Sequence, residues 1–423
     1  MTTKKNSMRY ALLAAALMQV FPAIAAAADK GEGEAAPECE DCPATSGRSG
    51  WVEGSIGAQS DDSYHFGRYN GHQDNGGFVN AAGEYRYRGK DDASYFDIRA
   101  EDLGLDTREL VVEGGRQGKY GIGLEYDEIP NYRASDTRSP FRSSGDGQLS
   151  LPPGWIPSDS TATMPTLASD LVDTPLETQR DRLGVKFSYV PARDWELSGH
   201  FRREEKDGTK DVGATISFNQ TVILPVPINY QTDEFGLAAG YKGERLQARL
   251  AYAGSLFKND AERIAWDNPF ANAPSSPTGQ MADAPDNQFH QISAQLGYQL
   301  TDATRLGASL ARGRMTQDET FLPYTVNPAI PSAALPVASL DGEVDTTLAK
   351  LEVYSRPTTK LRLDASYTYS DRDNQTGVNT YDYVVTDVTA GGLRQNRPYS
   401  FEQNLLRAKA GYRLSGKADL SLG

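Results

Sequence analysis

One alternation keeps returning along this chain and limits what it can fold into. Between positions 291 and 300, Ile292, Ala294, Leu296, Tyr298 and Leu300 fall on one side of an extended backbone, and Gln291, Ser293, Gln295, Gly297 and Gln299 on the other. Between 361 and 370 the same split sets Leu361, Leu363, Ala365, Tyr367 and Tyr369 against Arg362, Asp364, Ser366, Thr368 and Ser370. Near the end, Leu406, Ala408, Ala410, Tyr412 and Leu414 oppose Arg407, Lys409, Gly411 and Arg413. Earlier, a tight turn at Gln117 and Gly118 leads into Tyr120, Ile122, Leu124 and Tyr126, which oppose Lys119, Gly121, Gly123, Glu125 and Asp127 before the pattern breaks at Pro130. About fifteen such segments follow Trp51, and none has a helical period. Each is about ten residues long, the length a tilted strand needs to cross a bilayer.

The connections sharpen the reading. Short turns are expected near residues 89–93, 117–118, 191–194, 242–244, 301–303, 357–359 and 415–416. Long polar segments lie between them, at 60–76, 128–178, 206–228, 257–288, 317–344 and 371–402. Short and long alternate, except that 104–107 is short where the pattern wants a long connection. A soluble sandwich has no reason to lengthen every second connection, whereas an outer-membrane barrel has tight periplasmic turns and long outer loops. The fold class predicted is therefore all-β, a large antiparallel transmembrane β-barrel over residues 51–423. Trp195, Tyr241, Tyr298, Tyr354, Tyr367, Tyr369 and Tyr412 are expected to form its interfacial girdles.

Composition closes off other classes. Mean hydropathy is −0.56, and past position 28 no apolar run approaches the roughly 20 residues a membrane helix needs. Low hydropathy does not count against a barrel, because only alternate residues of each strand meet lipid. Lys4, Lys5 and Arg9 flank an apolar core from Ala11 to Ile24, and Ala26, Ala27 and Ala28 precede Asp29, which reads as a signal peptide over 1–28. Its removal takes away three positive charges and no negative ones, moving the net charge from −14 to −17. So acidic a chain is a poor partner for nucleic acid.

The two cysteines, Cys39 and Cys42, sit in a Gly-, Glu- and Pro-rich leader spanning 29–50. Pro43 follows where covalent haem attachment would need histidine, and no second C-x-x-C completes a zinc site. Two nearby acids disfavour a reactive thiolate, so a disulfide pair is preferred to a redox pair. Hydrolytic catalysis finds no G-x-S-x-G elbow and no metal-ligand histidine spacing. The four histidines, His65, His72, His200 and His290, are read as ordinary polar side chains. The chain is expected not to be an enzyme, and no catalytic, cofactor-binding or metal-binding residue is assigned. A barrel must close its last strand on its first. Positions 417–423 would instead form an odd-numbered strand cut short, so the sequence reads as the N-terminal part of a longer barrel.

Several details resemble a known family. They are the leader C-x-x-C at Cys39 and Cys42, the hairpin from Gly115 through Arg116, Gln117, Gly118 and Lys119 to Tyr120, and the motif Tyr126-Asp127-Glu128-Ile129-Pro130. Ser139-Pro140-Phe141 and Leu151-Pro152-Pro153-Gly154-Trp155 complete the set. Together they resemble the MtrB/PioB family of decahaem-associated outer-membrane proteins, whose members are barrels of more than twenty strands. The resemblance implies a sheath in the bacterial outer membrane, with its N-terminus periplasmic, that houses a periplasmic multihaem c-type cytochrome for electron transfer across the membrane. An extracellular multihaem cytochrome is the implied outside partner. Haem c would be carried by the partner and none by this chain. A stand-alone diffusion porin shares every feature read from the residues alone and is the alternative.

Overall fold

Alternation turns into long strands joined to their sequence neighbours. The computed structural model describes residues 46–423 apart from positions 92, 218, 219, 388 and 417. The chain begins with β1 (Gly47–Gln59), a single-turn helix α1 (Tyr64–Gly67), β2 (Gly76–Arg88), β3 (Ser94–Glu101), β4 (Glu109–Arg116) and β5 (Tyr120–Ala134). The next connection holds the short pieces β6 (Arg138–Ser139), β7 (Arg142–Ser143), β8 (Gln148–Ser150), α2 (Leu167–Asp170) and β9 (Val172–Asp173). Then come β10 (Leu176–Ala192), β11 (Trp195–Ser217), β12 (Gln220–Lys242), β13 (Leu246–Asn259), β14 (Arg263–Asp267), β15 (Thr278–Ala282), β16 (Asn287–Thr301) and β17 (Thr304–Gln317). The last elements are β18 (Gly342–Ser355), β19 (Leu361–Asn374), β20 (Thr380–Thr386), β21 (Thr389–Gln395), β22 (Phe401–Ser415) and β23 (Ala418–Leu422).

Fifteen of these strands make one sheet in the order β1-β2-β3-β4-β5-β10-β11-β12-β13-β16-β17-β18-β19-β22-β23. Every neighbour in it is the next long strand in sequence and every pairing is antiparallel, so the sheet is a meander with open edges at β1 and β23. The all-β reading and its strand number hold. β1 starts at Gly47, inside the stretch expected to be leader.

Register fixes which residues share a face. One row runs Tyr120, Tyr189, Leu197, Ala239, Leu250, Ala294, Leu310, Ala349, Tyr369 across nine strands. The next row runs Tyr241, Ala248, Leu296, Ala308, Leu351, Tyr367, Leu406. From β12 to β18 leucine and alanine alternate along each strand and across it. These side chains are not covered by anything: Leu250 is 58% exposed, Leu351 58% and Leu406 74%. A continuous apolar face of this extent is stable against hydrocarbon and not against water. Trp195 and Tyr241 touch at the short-turn end of that face, with ring centroids 5.2 Å apart. Tyr354, expected in the girdle, lies on the opposite face in register with Arg305 and Asp364, and Arg362 covers its ring at 5.2 Å.

Two further expectations are overturned. The chain does not break at Pro130; β5 runs on to Ala134, with Pro130 fully buried and paired to Gln179. β4 has already ended opposite Asp127, so β5 has one neighbour there, an edge position that proline tolerates. Residues 206–228 are not a loop. β11 and β12 continue through them in register from Lys206 opposite Tyr230 to Thr215 opposite Thr221, and Pro225 and Pro227 sit where β13 no longer flanks β12. The short connection after β3 is real: Asp102 turns the chain at φ 51°, held by Asn80 at 2.8 Å and Thr107 at 3.0 Å.

Candidate functional site: the polar face and the long-loop end

The face opposite the apolar rows carries the charges. Over β2 to β12 these are matched pairs on adjacent strands or within one. Arg88 grips Asp97 through both terminal nitrogens at 2.5 and 3.0 Å, Arg99 meets Glu109 at 2.7 Å, and Arg182 meets Glu204 at 2.7 Å. Lys186 pairs with Glu113, and Arg202 with Glu234. Each pair is partly exposed and stabilises by about 0–1 kcal/mol at most; their effect is to keep the face wettable without net charge. Glycine gives these chains room to lie flat. A Cβ on Gly123 would come 2.6 Å from Lys186 Cε, and one on Gly184 would collide with Glu125. The long side chains follow the sheet instead of projecting from it.

Among the described residues the only apolar core cluster forms at the long-loop end. The extended tip of β11 and β12 contributes Ala214, Ile216, Leu224 and Val226, and the connections contribute Phe141, Leu149, Ile264, Trp266 and Ala273. A small sheet in the order β15-β14-β8-β7 stiffens it, with β14 and β8 running parallel at Ala265 and Gln148. Trp155 Nε1–H donates to the Pro269 carbonyl at 3.2 Å, and the Asp267 carboxylate accepts the Leu151 N–H at 2.9 Å. Lys210 is half-buried in this end, donating to Tyr230 Oη at 2.7 Å and to Asp283 at 3.1 Å. Burial alone would pull its ammonium down; the two hydrogen bonds and the Asp283 charge outweigh that and raise it. Three connections are tied together by Asp387, whose carboxylate accepts from Ser276 Oγ at 2.5 Å and Asn327 Nδ2 at 2.7 Å. Ser276 and Asn327 are both buried. The long connections are thus a folded platform. Sequence reading missed it because its apolar residues are scattered over three separate polar segments.

Glu128 has a related role. It is 5% exposed, accepts from Tyr126 Oη at 2.5 Å and pairs with Arg108 at 3.0 Å, locking β5 to the β3–β4 connection. The motif residues Tyr126, Glu128, Pro130, Phe141 and Trp155 therefore all serve to build the long-loop end. Cys39 and Cys42, the signal peptide and most of the leader lie outside the described residues. The histidines are scattered. His65 is exposed on α1, His72 lies tilted against Phe78 with ring centroids 4.5 Å apart, and His200 lies over Gly236. His290 shares a hydrogen bond of 2.8 Å with Tyr252 Oη on the opposite face from His200. Among the described residues no three His, Cys, Asp or Glu side chains converge on a metal-sized site.

The family model described as "Putative outer membrane beta-barrel porin, MtrB/PioB" matches residues 58–423. The chain belongs to the MtrB/PioB family of outer-membrane β-barrels. It is 32% identical over 388 residues to outer membrane protein MtrB of Shewanella baltica (strain OS185), covering 89% of this chain and 53% of that relative. The chain thus spans about half the length of the curated relative it matches. Among solved structures, the copper transporter OprC is matched at TM-score 0.39 and 11% identity, covering 90% of this chain and 62% of that one. OmpT of Vibrio cholerae is matched at TM-score 0.30 and 11% identity, covering 86% and 95%. Likenesses of that size carry no argument about function. For an MtrB/PioB barrel the two faces acquire names: the apolar face meets lipid, and the polar face lines the lumen.

Proposed function

We propose that the protein is the wall of an electron conduit: a barrel that encloses a periplasmic multihaem c-type cytochrome and carries its haems across the outer membrane. The observation that supports this most is the lumen face. Long side chains such as Lys186 and Glu125 lie along it beside Gly123 and Gly184, and among the described residues the only apolar core is the one at the long-loop end. A barrel wider than about eight strands leaves space that its own side chains cannot occupy, and a wettable wall suits a protein plug. Membership of the MtrB/PioB family supports the same reading.

In this reading the haems belong to the partner, this chain binds no cofactor and it catalyses no reaction of its own. It displaces about 30 Å of hydrocarbon with a polar channel in which the cytochrome sits. β1 begins at the short-turn end, which supports a periplasmic N-terminus in this reading. The platform at the other end faces outward and is where an extracellular multihaem cytochrome would dock. The test is to extract the full-length protein from its native outer membrane, purify it and record a visible spectrum. A c-type Soret band in excess over the barrel is expected. A colourless barrel from cells that express the cytochrome would instead identify a diffusion porin.

A further inference from the structure

The lumen face is divided electrically, and the division falls along the strand order. From β2 to β12 most of its cations are paired with carboxylates, as described above. From β13 to β22 the balance changes. Lys350 pairs with Glu352 at 2.6 Å, Arg362 with Asp364 at 3.0 Å, and Arg305 turns one nitrogen to Gln247 at 3.0 Å. Arg249, Arg407 and Lys409 have no carboxylate partner among the described residues, and all three are exposed. Register spreads them over adjacent rows of the stretch: Arg249, Gln295, Ser309 and Lys350 form one row, Glu352, Ser366 and Arg407 the next, and Lys409 stands opposite Asp364 in the one after, so Arg249 and the Arg407/Lys409 pair stand at its two ends. A cavity of about 1420 Å³ lies against the wall from β10 to β22, and the β13–β22 part of its lining holds five cationic side chains against two carboxylates. In a chain whose net charge is −14 that is a local reversal of sign. Gly297, Gly307 and Ser366 lie between the cations, so no bulky neighbour covers them. Low-dielectric walls concentrate the field of such a group toward the lumen.

We infer that the β13–β22 stretch of the lumen wall is the docking surface for an acidic patch of surface Asp and Glu residues on the enclosed cytochrome. The inference rests on the cytochrome-sheath reading and adds to it which side of the wall is gripped and the sign of charge that meets it. Unpaired exposed cations inside a water-filled lumen gain by meeting carboxylates there, where screening is weaker than on an outer surface. The matched β2–β12 side offers no net charge to a partner and would only be wetted by it.

The test uses the full-length barrel with its cytochrome, immobilised by a tag on the barrel and washed with rising NaCl while haem absorbance is followed. Wild type is compared with the triple reversal R249E/R407E/K409E and with the milder R249Q/R407Q/K409Q. A control, K90E/K119E/K360E, makes the same number of reversals at exposed positions on the short turns. Heat-modifiable migration on gels confirms that each variant is folded. The reversal should release the cytochrome at about half the wild-type salt concentration or lower, with the glutamine variant in between and the control unchanged. If both triple variants fold and release haem at the wild-type salt, the inference fails and the sheath stands. A wild-type barrel that never retains haem would overturn both.

Discussion

Leu224→Ala is the sharpest probe of the long-loop platform. Leu224 is fully buried on β12, opposite Val212 on β11, in the cluster with Phe141, Leu149 and Trp266. Removing a fully buried leucine side chain costs about 2–5 kcal/mol, depending on how far the site collapses. The lipid-facing wall contributes nothing to that cluster, so the cost should fall on local opening of the platform and not on the barrel. At a factor of ten per 1.4 kcal/mol, amides of residues 209–228 should exchange roughly 30-fold to 4,000-fold faster than in wild type. Amides of β16 and β17 should not change. Hydrogen exchange by mass spectrometry in detergent micelles reads both regions in one experiment. Equal acceleration in β16 and β17 would refute the separation of platform from wall, and no acceleration in 209–228 would refute the packing.

Three other outcomes follow from the same structure. Lys210 lies nine residues beyond Phe201, the last apolar lipid-facing residue of β11, and its pKa is raised above 10.5. Its contribution is therefore present below that value and lost as pH rises through the folded-state value. Limited proteolysis near Asp283 should accelerate in that alkaline window, and Lys210→Met should abolish the pH dependence while exposing the segment at every pH. Asn327→Ala removes the donor to the half-buried Asp387, which keeps only Ser276, and the donor to the Thr278 carbonyl, at a cost of about 1–3 kcal/mol. Residues 318–341 should then be cleaved faster, and unchanged cleavage would count against the three-way tie. Leu250→Arg on the lipid face should weaken insertion into vesicles by about 2–4 kcal/mol near the midplane, whereas Ser293→Arg, on the lumen face, should insert as wild type does; the reverse order would invert the two faces.

Period-two segments such as residues 291–300 were legible because alternation over ten residues has one structural solution when one face must meet lipid. Short turns were equally legible, since hairpins of this kind need few residues. What failed did so for a shared reason. In 206–228 the alternation of Val212, Ala214 and Ile216 with Val222, Leu224, Val226 and Ile228 was present, but charged residues before it and Pro225 and Pro227 within it read as loop. Both prolines, like Pro130, occupy a strand that has lost one neighbour, and that loss depends on where other strands end. The platform core was illegible because Phe141 and Leu149 come from a segment more than a hundred residues away from that of Trp266. The basic stretch of the lumen wall could have been read from alternation alone, by summing charge on the polar face strand by strand.

The central claim is conduction through an enclosed cytochrome, and liposomes test it most directly. Vesicles loaded with a reduced viologen dye would carry the full-length barrel with its cytochrome, the barrel alone, or the cytochrome alone, and receive an impermeant ferric acceptor outside. Dye oxidation is predicted only for the complex. Equal oxidation by the barrel alone, with dye leaking out, would contradict the account.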